Sequence, residues 1–264
     1  MSDALIGHTG FVGTTLLRQR PFDALYRSTT VTSIAGQAFD LVVCAGVPAQ
    51  KWIANREPER DRQGIESLIA CLRQVRAKRF VLISTVDVYQ VPDGPDEATP
   101  VDESGLHPYG LHRRMLESFV ERQFPQCLIV RLPGLVGPGL RKNVIFDFLH
   151  GNNLQAVDSR AIYQFYPMVN LWHDIDAALR LELDLLHLSA APVSVSEVAR
   201  DGFGIAFDQC LAGSPARYDL KSRHAARFGG SGPYHYSKRE TLQAIRAYAQ
   251  SEPRQVGAGP QGAQ

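Results

Sequence analysis

The chain has 264 residues, a length that suits one large α/β domain with a small additional lobe better than two full domains. Its hydrophobic fraction of 44% and its charged fraction of 21% are those of a soluble globular protein. The formal net charge of +1 gives no general attraction to nucleic acid or to an anionic membrane, so we expect neither as a partner.

Cysteine and histidine usage bears on metal sites and on the cellular compartment. The four cysteines are scattered without Cys-x-x-Cys spacing, and the histidines show no metal-ligand spacing, so we expect no metal. A glycine loop follows almost directly after the first residues, and no apolar stretch approaches the length of a membrane span. These features favour a cytoplasmic protein without a signal peptide.

Predicted strands and helices alternate in the first half of the chain. Short apolar runs predict strands at residues 4–6, 24–26, 40–46, 80–83 and 127–130. Apolar residues at helical spacing follow the first of these strands and recur over residues 65–75 and 111–120. This order predicts an α/β fold with a doubly wound parallel (Rossmann) sheet.

The pattern becomes less regular after Gly134. We therefore assign residues 1–134 to the Rossmann core and residues 135–250 to a small mixed C-terminal substrate-binding lobe, with possible returns to the core. A further strand at residues 192–195 could join either the main sheet or the lobe. Residues 251–264 are rich in Gly, Pro, Gln and Ala without periodicity, and we expect a disordered tail.

A glycine triplet, Gly7-x-x-Gly10-x-x-Gly13, lies between the first predicted strand and the first predicted helix. Glycine permits the tight turn, the close approach of a pyrophosphate and the packing of helix on strand, while the helix N-terminus attracts phosphate. The alternative is a merely structural turn, which this context disfavours. The cofactor-binding residues assigned to the loop are Gly7, Thr9, Gly10, Phe11, Val12 and Gly13.

The end of the second predicted strand bears on cofactor choice. It lacks the acidic residue that often selects NAD and reads Tyr26-Arg27-Ser28. Arg27 could pair with a 2′-phosphate and Ser28 could add a hydrogen bond, so NADP is preferred and NAD stays possible. An exposed arginine after a strand is the alternative.

Four stretches together resemble the extended short-chain dehydrogenase/reductase family, in its NAD-dependent epimerase/dehydratase branch. They occur in the family's own order and span roughly the first half of the chain. They are Gly7-x-x-Gly10-x-x-Gly13, Ser84-Thr85-x-x-Val88-Tyr89, Tyr109-Gly110-x-x-Arg113 and Arg131-Leu132-Pro133-Gly134-x-x-Gly137-Pro138-Gly139. A weaker similarity to sugar-nucleotide members continues at Arg217-Tyr218-Asp219.

The resemblance implies that Tyr109 is the general acid/base and that Thr85 hydrogen-bonds the same substrate oxygen. A tyrosine with its ordinary pKa near 10 needs a cation close by, and residue 113 shares its helix face. The catalytic set is therefore Thr85, Tyr109 and Arg113. Further cofactor contacts are assigned to Ala45, Gly46, Arg113 and Pro133, and substrate contacts to Asp87, Gly134 and Arg217.

Three positions depart from the family pattern. The family has lysine where Arg113 stands, so this arginine could do the lysine's work with altered geometry, the enzyme could be slow, or the site could bind cofactor without turnover. Dehydratase members carry an Asp-Glu pair after the threonine, whereas this chain has Val86-Asp87, which disfavours dehydration. Many sugar-nucleotide members have asparagine where Gly134 stands.

The sequence thus indicates an NAD(P)-dependent oxidoreductase or epimerase acting on a carbonyl or secondary alcohol of a small molecule, with a nucleotide-linked sugar as one option. The competing hypothesis is a dinucleotide-binding sensor or regulatory protein with weak or no turnover. Lys51 and Trp52 could border the nicotinamide or substrate, or simply begin a helix. The resemblance also makes a homodimer through two long helices plausible.

Overall fold

The computed structural model describes residues 2–254. The strands are β1 (Asp3–Ile6), β2 (Ala24–Tyr26), β3 (Ala38–Cys44), β4 (Arg76–Thr85), β5 (Cys127–Leu132), β6 (Gly134–Val136), β7 (Ile162–Tyr163), β8 (Phe165–Pro167), β9 (Leu185–His187) and β10 (Val193–Ser194). The helices are α1 (Phe11–Gln19), α2 (Lys51–Arg56), α3 (Pro58–Leu72), α4 (Pro108–Gln123), α5 (Val144–His150), α6 (Leu171–Arg180), α7 (Val195–Glu197) and α8 (Lys238–Ser251). Residues 255–264, most of the tail expected to be disordered, lie outside the described residues.

The main sheet has six strands in the order β2-β1-β3-β4-β5-β9, and all neighbours are parallel. Helices α3 and α4 cover one face with an apolar cluster, and α1 and α6 cover the other. The continuous apolar runs of β3, β4 and β5 fit strands that are buried on both faces. The predicted doubly wound parallel sheet is confirmed.

The connection from β2 to β3 contains only a single 3₁₀ turn, Val31–Ile34, and no α-helix. Strand β2 lies at the edge of the sheet, next to β1. The opposite edge is β9, which follows α6 and pairs with β5.

The residues after Gly134 form two small sheets besides β9. Strand β10, within the predicted strand at 192–195, pairs with β7 in an antiparallel ribbon, and β6 pairs with β8 in parallel. Helices α5 and α8 pack with them in a third apolar cluster. Helix α8 begins at a capping box in which the side chains of Ser237 and Glu240 each accept a hydrogen bond from the other residue's backbone N–H. No helix within residues 2–254 is both long and apolar enough to cross a bilayer.

The topology brings the predicted site residues to one edge of the main sheet. Gly7 follows β1, Ala45 follows β3, Thr85 ends β4 and Pro133 follows β5. Because these strands are parallel, their carboxyl ends line a common crevice, which is where open α/β sheets bind ligands.

Candidate active site

The glycine loop after β1 is closely packed against its neighbours. Gly7 has a left-handed φ of 87° and donates its N–H to the carbonyl oxygen of Tyr26 at 2.7 Å. A Cβ on Gly7 would lie 2.4 Å from the carbonyl oxygen of Ala45, and a Cβ on Gly13 would lie 2.1 Å from that of Gly7. Glycine is therefore required at both positions for α1 to approach β1 and β3.

Gly10 plays a different part, because a Cβ there would meet only the Gly7 carbonyl oxygen at an ordinary 3.5 Å. It is the N-cap of α1, no side chain caps this helix end, and no acidic residue occupies the first turn. The first N–H groups of α1 and its positive dipole end are thus left to an anionic ligand. Both ring nitrogens of His8 are buried without a hydrogen-bond partner, so the loop also holds unused polar atoms. These features fit a diphosphate.

The other predicted loop and cofactor residues lie around this crevice. Thr9, like Arg27 and Ser28 after β2, is exposed, whereas Phe11 and Val12 pack partly against the apolar cluster under α1. Ala45 and Gly46 are half-buried, and the Ala45 N–H donates to the Ile6 carbonyl oxygen at 2.9 Å. Pro133 is buried between β5 and β6.

Helix α4 places Tyr109 in its first turn. The N–H of Gly110 donates to Nδ1 of His107 at 3.0 Å, and the N–H of Tyr109 donates to Oδ1 of Asn55 at 3.0 Å. A Cβ on Gly110 would lie 2.1 Å from the Asp87 carbonyl oxygen, so only glycine allows the helix this close to the end of β4. The local sequence thereby brings the Tyr109 ring to the end of β4.

Thr85 and Tyr109 come close together here, since the Thr85 hydroxyl is one of the groups that lower the Tyr109 pKa. Thr85 is half-buried and Tyr109 is buried. Burial is the main influence on the Tyr109 hydroxyl, and it raises the pKa above the usual 10 although Arg113, Thr85 and Lys51 pull it down. The phenol is therefore a proton donor at neutral pH before any ligand binds.

Arg113 lies on the same face of α4, with its Cζ 3.9 Å from the centre of the Tyr109 ring. Its Nη1 donates to Asp61 Oδ2 at 2.5 Å and its Nη2 donates to the Pro48 carbonyl oxygen at 2.6 Å. His112 Nδ1 lies 2.7 Å from the same Asp61 oxygen. The guanidinium is only 4% exposed, and its Nε has no partner. The arginine charge is therefore largely balanced by the Asp61 carboxylate.

A second cluster of polar and charged side chains lies around Asp87, just after β4. Lys51 Nζ donates to Asp87 Oδ1 at 2.7 Å, and the Tyr218 hydroxyl donates to the same oxygen at 3.3 Å. The other oxygen, Oδ2, accepts a hydrogen bond from Thr85 Oγ1 at 3.4 Å. Burial opposes the charge of Lys51, but Asp87 and Tyr218 outweigh it and raise the lysine pKa. A carboxylate, an ammonium and a phenol thus adjoin the Thr85–Tyr109 pair.

Two predicted substrate contacts are not joined to this group by the contacts described. Gly134 opens β6, and a Cβ on it would lie 2.5 Å from the Gln164 carbonyl oxygen. Arg217 donates its Nε to both carboxylate oxygens of Asp93 at 3.0 Å and is exposed. Their part in substrate binding stays a prediction.

A buried ion pair supports the site from behind. Arg131 Nε and Nη2 donate to Glu117 at 3.0 and 2.6 Å, and Ser84 Oγ donates to Glu117 Oε1 at 2.6 Å. The remaining Arg131 nitrogen, Nη1, donates to the Tyr89 hydroxyl at 2.7 Å. These contacts tie α4 to β4 and β5 through side chains that are almost completely buried.

Three residues that support the site were not predicted from the sequence: Asp61, Asn55 and Glu117. Each is a polar residue on a helix, which is ordinarily a solvated position, and no local motif marks Asp61 or Asn55. Glu117 lies two helical steps of four residues beyond Tyr109, so helix periodicity is the one signal that could have indicated its direction.

Comparison with solved structures identifies the fold. UDP-galactose 4-epimerase superposes with a TM-score of 0.72 at 19% identity, covering 95% of this chain and 98% of that one. A double mutant of the dTDP-glucose 4,6-dehydratase DesIV from Streptomyces venezuelae, with NAD and DAU bound, gives 0.72 at 16% identity over 96% and 98% of the two chains. The dTDP-4-dehydrorhamnose reductase from Bacillus anthracis, in complex with NADP, gives 0.71 at 17% identity over 96% and 100%.

Comparison of sequences identifies the family. A search of curated protein sequences found no match. The model of the NAD dependent epimerase/dehydratase family, however, matches residues 22–164, more than half of the chain. The glycine loop lies before the matched residues, so the family model does not cover it. For the loop, the resemblance rests on the order of the strands and on the geometry of the glycines. The predicted family is confirmed: this chain belongs to the NAD dependent epimerase/dehydratase family.

Proposed function

We propose that the protein is an NAD(P)-dependent oxidoreductase or epimerase that acts on a carbonyl or secondary alcohol, with Tyr109 as general acid/base. The observation that carries this proposal is the position of the buried Tyr109, stacked against Arg113 and placed by α4 against the end of β4, at the edge of the sheet where the uncapped glycine loop also opens. NADP is the preferred cofactor and NAD is the second choice.

Each residue has its own role in the proposed reaction. The bound nicotinamide supplies or removes a hydride at the reacting carbon of the substrate. In the reductive direction Tyr109 gives its proton to the carbonyl oxygen, and in the oxidative direction its phenolate takes the proton of the alcohol. Thr85 donates a hydrogen bond to the same oxygen. With its raised pKa, Tyr109 carries its proton at neutral pH, which is the form that reduction requires.

A nucleotide-linked sugar is the proposed substrate class. The similar structures are named as an epimerase of UDP-galactose, a dehydratase of dTDP-glucose and a reductase of dTDP-4-dehydrorhamnose. In this chain Val86 stands where dehydratases carry the first acid, so we propose reduction or epimerisation rather than loss of water. Asp87 lies beside Thr85 and is the best placed of the proposed substrate contacts.

The alternative function, a dinucleotide-binding sensor with weak or no turnover, is favoured by one observation. The cation at position 113 is committed to Asp61 and to the Pro48 carbonyl oxygen. Arg113 therefore has less charge to offer the phenol than an unpaired lysine would have.

Replacement of Gly10 with alanine tests the cofactor site without disturbing the turn. Its backbone φ of −79° suits any residue, and the new Cβ has room, yet it would project where a diphosphate must approach the backbone. We expect NADPH and NADH to bind at least about tenfold more weakly, measured by calorimetry. Gly64→Ala, in open space on α3, is the matched control. Unchanged affinity in Gly10→Ala would contradict a diphosphate at this loop.

Replacement of Arg27 with alanine tests the preference for NADP. A guanidinium bonded to a 2′-phosphate contributes about 1.5–3 kcal/mol, so the ratio of NADPH to NADH affinity should fall at least about tenfold. The control is Arg76→Ala. Arg76 lies at the amino end of β4, on the side of the sheet opposite to the crevice at the carboxyl ends of the strands. If the ratio does not change in Arg27→Ala, cofactor choice does not depend on this arginine.

A further inference from the structure

The ion pair of Lys51 and Asp87 lies where the candidate site opens, in the loops that follow β3 and β4. Lys51 Nζ is 2.7 Å from Asp87 Oδ1, and the two side chains are 37% and 17% exposed. An ion pair that water reaches to this extent contributes little to stability, because solvent screens its charges. Stability therefore does not account for its position in the crevice, whereas a role in binding does.

Three parts of the chain hold this ion pair in place. Lys51 begins α2, and Asp87 follows β4, where its N–H donates to Thr85 Oγ1 at 3.2 Å. Tyr218 comes from the C-terminal part of the chain, and its hydroxyl lies 3.4 Å from Lys51 Nζ and 3.3 Å from Asp87 Oδ1. The Tyr218 ring packs against that of Tyr163, with centroids 5.6 Å apart. The polar atoms of this Lys51–Asp87–Tyr218 cluster are thus arranged before any ligand binds.

The hydrogen-bonding capacity of the cluster is only partly used. An ammonium has three N–H donors, and within residues 2–254 those of Lys51 contact Asp87 and Tyr218, which leaves one donor free. In the same part of the chain, Asp87 Oδ2 accepts from the Thr85 hydroxyl at a long 3.4 Å. A carboxylate oxygen accepts two hydrogen bonds, so Oδ2 can accept another. The ion pair therefore offers one free donor and one free acceptor to the crevice.

A donor beside an acceptor matches a hydroxyl group, which can accept a hydrogen bond from Lys51 and donate one to Asp87. The ion pair has one positive and one negative charge, so it gives no net attraction to a further anionic group. A methylene group in place of the hydroxyl would displace water from both partners without replacing its hydrogen bonds. The cluster therefore favours a substrate hydroxyl over an anion or an apolar group.

Thr85 relates the position of this hydroxyl to the reacting carbon of the substrate. Thr85 Oγ1, which is proposed to donate to the reacting oxygen, lies 3.4 Å from Asp87 Oδ2, the length of one long hydrogen bond. Oxygen atoms on neighbouring carbons of a sugar ring are separated by a similar distance. A substrate whose reacting oxygen contacts Thr85 therefore brings the adjacent hydroxyl to Asp87 and Lys51, rather than a more distant one.

We propose that Lys51, Asp87 and Tyr218 determine substrate specificity by binding the hydroxyl on the carbon next to the reacting carbon. Lys51 donates to this hydroxyl, Asp87 accepts from it, and Tyr218 holds the ion pair in position. The inference rests on the proposed function, because it takes Thr85 as the residue that holds the reacting oxygen. It narrows the substrate class to sugars that carry a hydroxyl beside the reacting position.

Calorimetry with deoxy analogues tests this proposal. UDP-galactose and dTDP-glucose are each compared with the 3-deoxy analogue, which lacks the hydroxyl next to C4, and with the 2-deoxy analogue as control. C4 is taken as the reacting carbon because position 4 is named in the epimerase and the reductase of similar structure. All titrations use the Tyr109→Phe background with NADP present, so that turnover does not consume the sugar.

With Lys51 in place, the 3-deoxy analogue should bind at least about tenfold more weakly than its parent sugar, the loss expected for a hydrogen bond to a charged group. Lys51→Met should make the two affinities nearly equal, and Tyr218→Phe should reduce their ratio to a smaller extent. The ratio for the 2-deoxy analogue should be the same in every variant. Lys238→Met, which removes an ion-paired lysine on α8, is the control and should keep the 3-deoxy ratio unchanged.

Two results would overturn the proposal: a 3-deoxy ratio that persists in Lys51→Met, or equal binding of the 3-deoxy and parent sugars when Lys51 is present. In both cases a nucleotide sugar still binds, so the proposed function stands. If neither UDP-galactose nor dTDP-glucose binds although NADPH does, the proposed substrate class is wrong, and the specificity proposed for Lys51 is rejected with it. The two failures are therefore distinguishable.

Discussion

Replacement of Tyr109 with phenylalanine should lower kcat by about 10²–10⁴-fold while leaving cofactor affinity nearly unchanged. The substitution removes the proton donor beside Thr85 but keeps the ring that Arg113 covers. The glycine loop, which is proposed to hold the cofactor, is untouched. Steady-state rates with a panel of nucleotide sugars, together with calorimetric titration of NADPH, measure the two quantities separately.

Tyr248→Phe is the matched control, because Tyr248 is also buried but lies on α8 in a different apolar cluster. It should retain full turnover. An unaltered protein that binds NADPH but shows no turnover, and whose binding properties survive Tyr109→Phe, would favour the sensor function over the enzyme. Equal activity in Tyr109→Phe and the unaltered enzyme would exclude Tyr109 as the acid/base.

Replacement of Glu117 with glutamine should lower the free energy of unfolding by about 3–5 kcal/mol. Glu117 is 0% exposed and receives hydrogen bonds from Ser84 and Arg131, and Arg131 is itself only 2% exposed. The neutral amide would leave the Arg131 guanidinium as a buried charge without a counterion. Urea denaturation followed by circular dichroism measures the change.

Glu121→Gln provides the control on the same helix. Glu121 forms an ion pair with Arg114, but the Glu121 side chain is 44% exposed. Loss of this ion pair should therefore lower the free energy of unfolding by less than about 1 kcal/mol. Equal destabilisation by the two substitutions would show that burial does not determine how much the Glu117–Arg131 pair contributes to the free energy of unfolding.

The main sheet was predictable because its central strands are continuous apolar runs of four or more residues. Strand β9 was not, since Leu185–His187 is too short for a periodicity and ends in a histidine. That histidine is fully buried, and burial lowers its pKa to about 4. Its Nδ1 lies 3.0 Å from the Lys221 carbonyl oxygen, a contact that only the folded chain creates.

The candidate site was likewise predictable from the sequence only in part. Arg113 and Tyr109 lie on the same face of α4 because they are four residues apart on one helix, and this rule is local. The partners that determine how much charge Arg113 offers come from elsewhere, since Asp61 is 52 positions away and Pro48 is 65. Likewise, Lys51 and Asp87 are both visible in the sequence, but their pairing depends on how α2 packs against α3 and α4. Contacts of this kind are set by tertiary packing.

Both outer strands of the main sheet, β2 and β9, are only three residues long. An unpaired strand edge is a template for adding a strand from another chain, and very short edges offer few free N–H and C=O groups for this. Self-association by sheet extension, including the aggregation it leads to, is therefore disfavoured. The homodimer that the family resemblance implies, still a prediction, would have to form through helix surfaces such as those of α3 and α4.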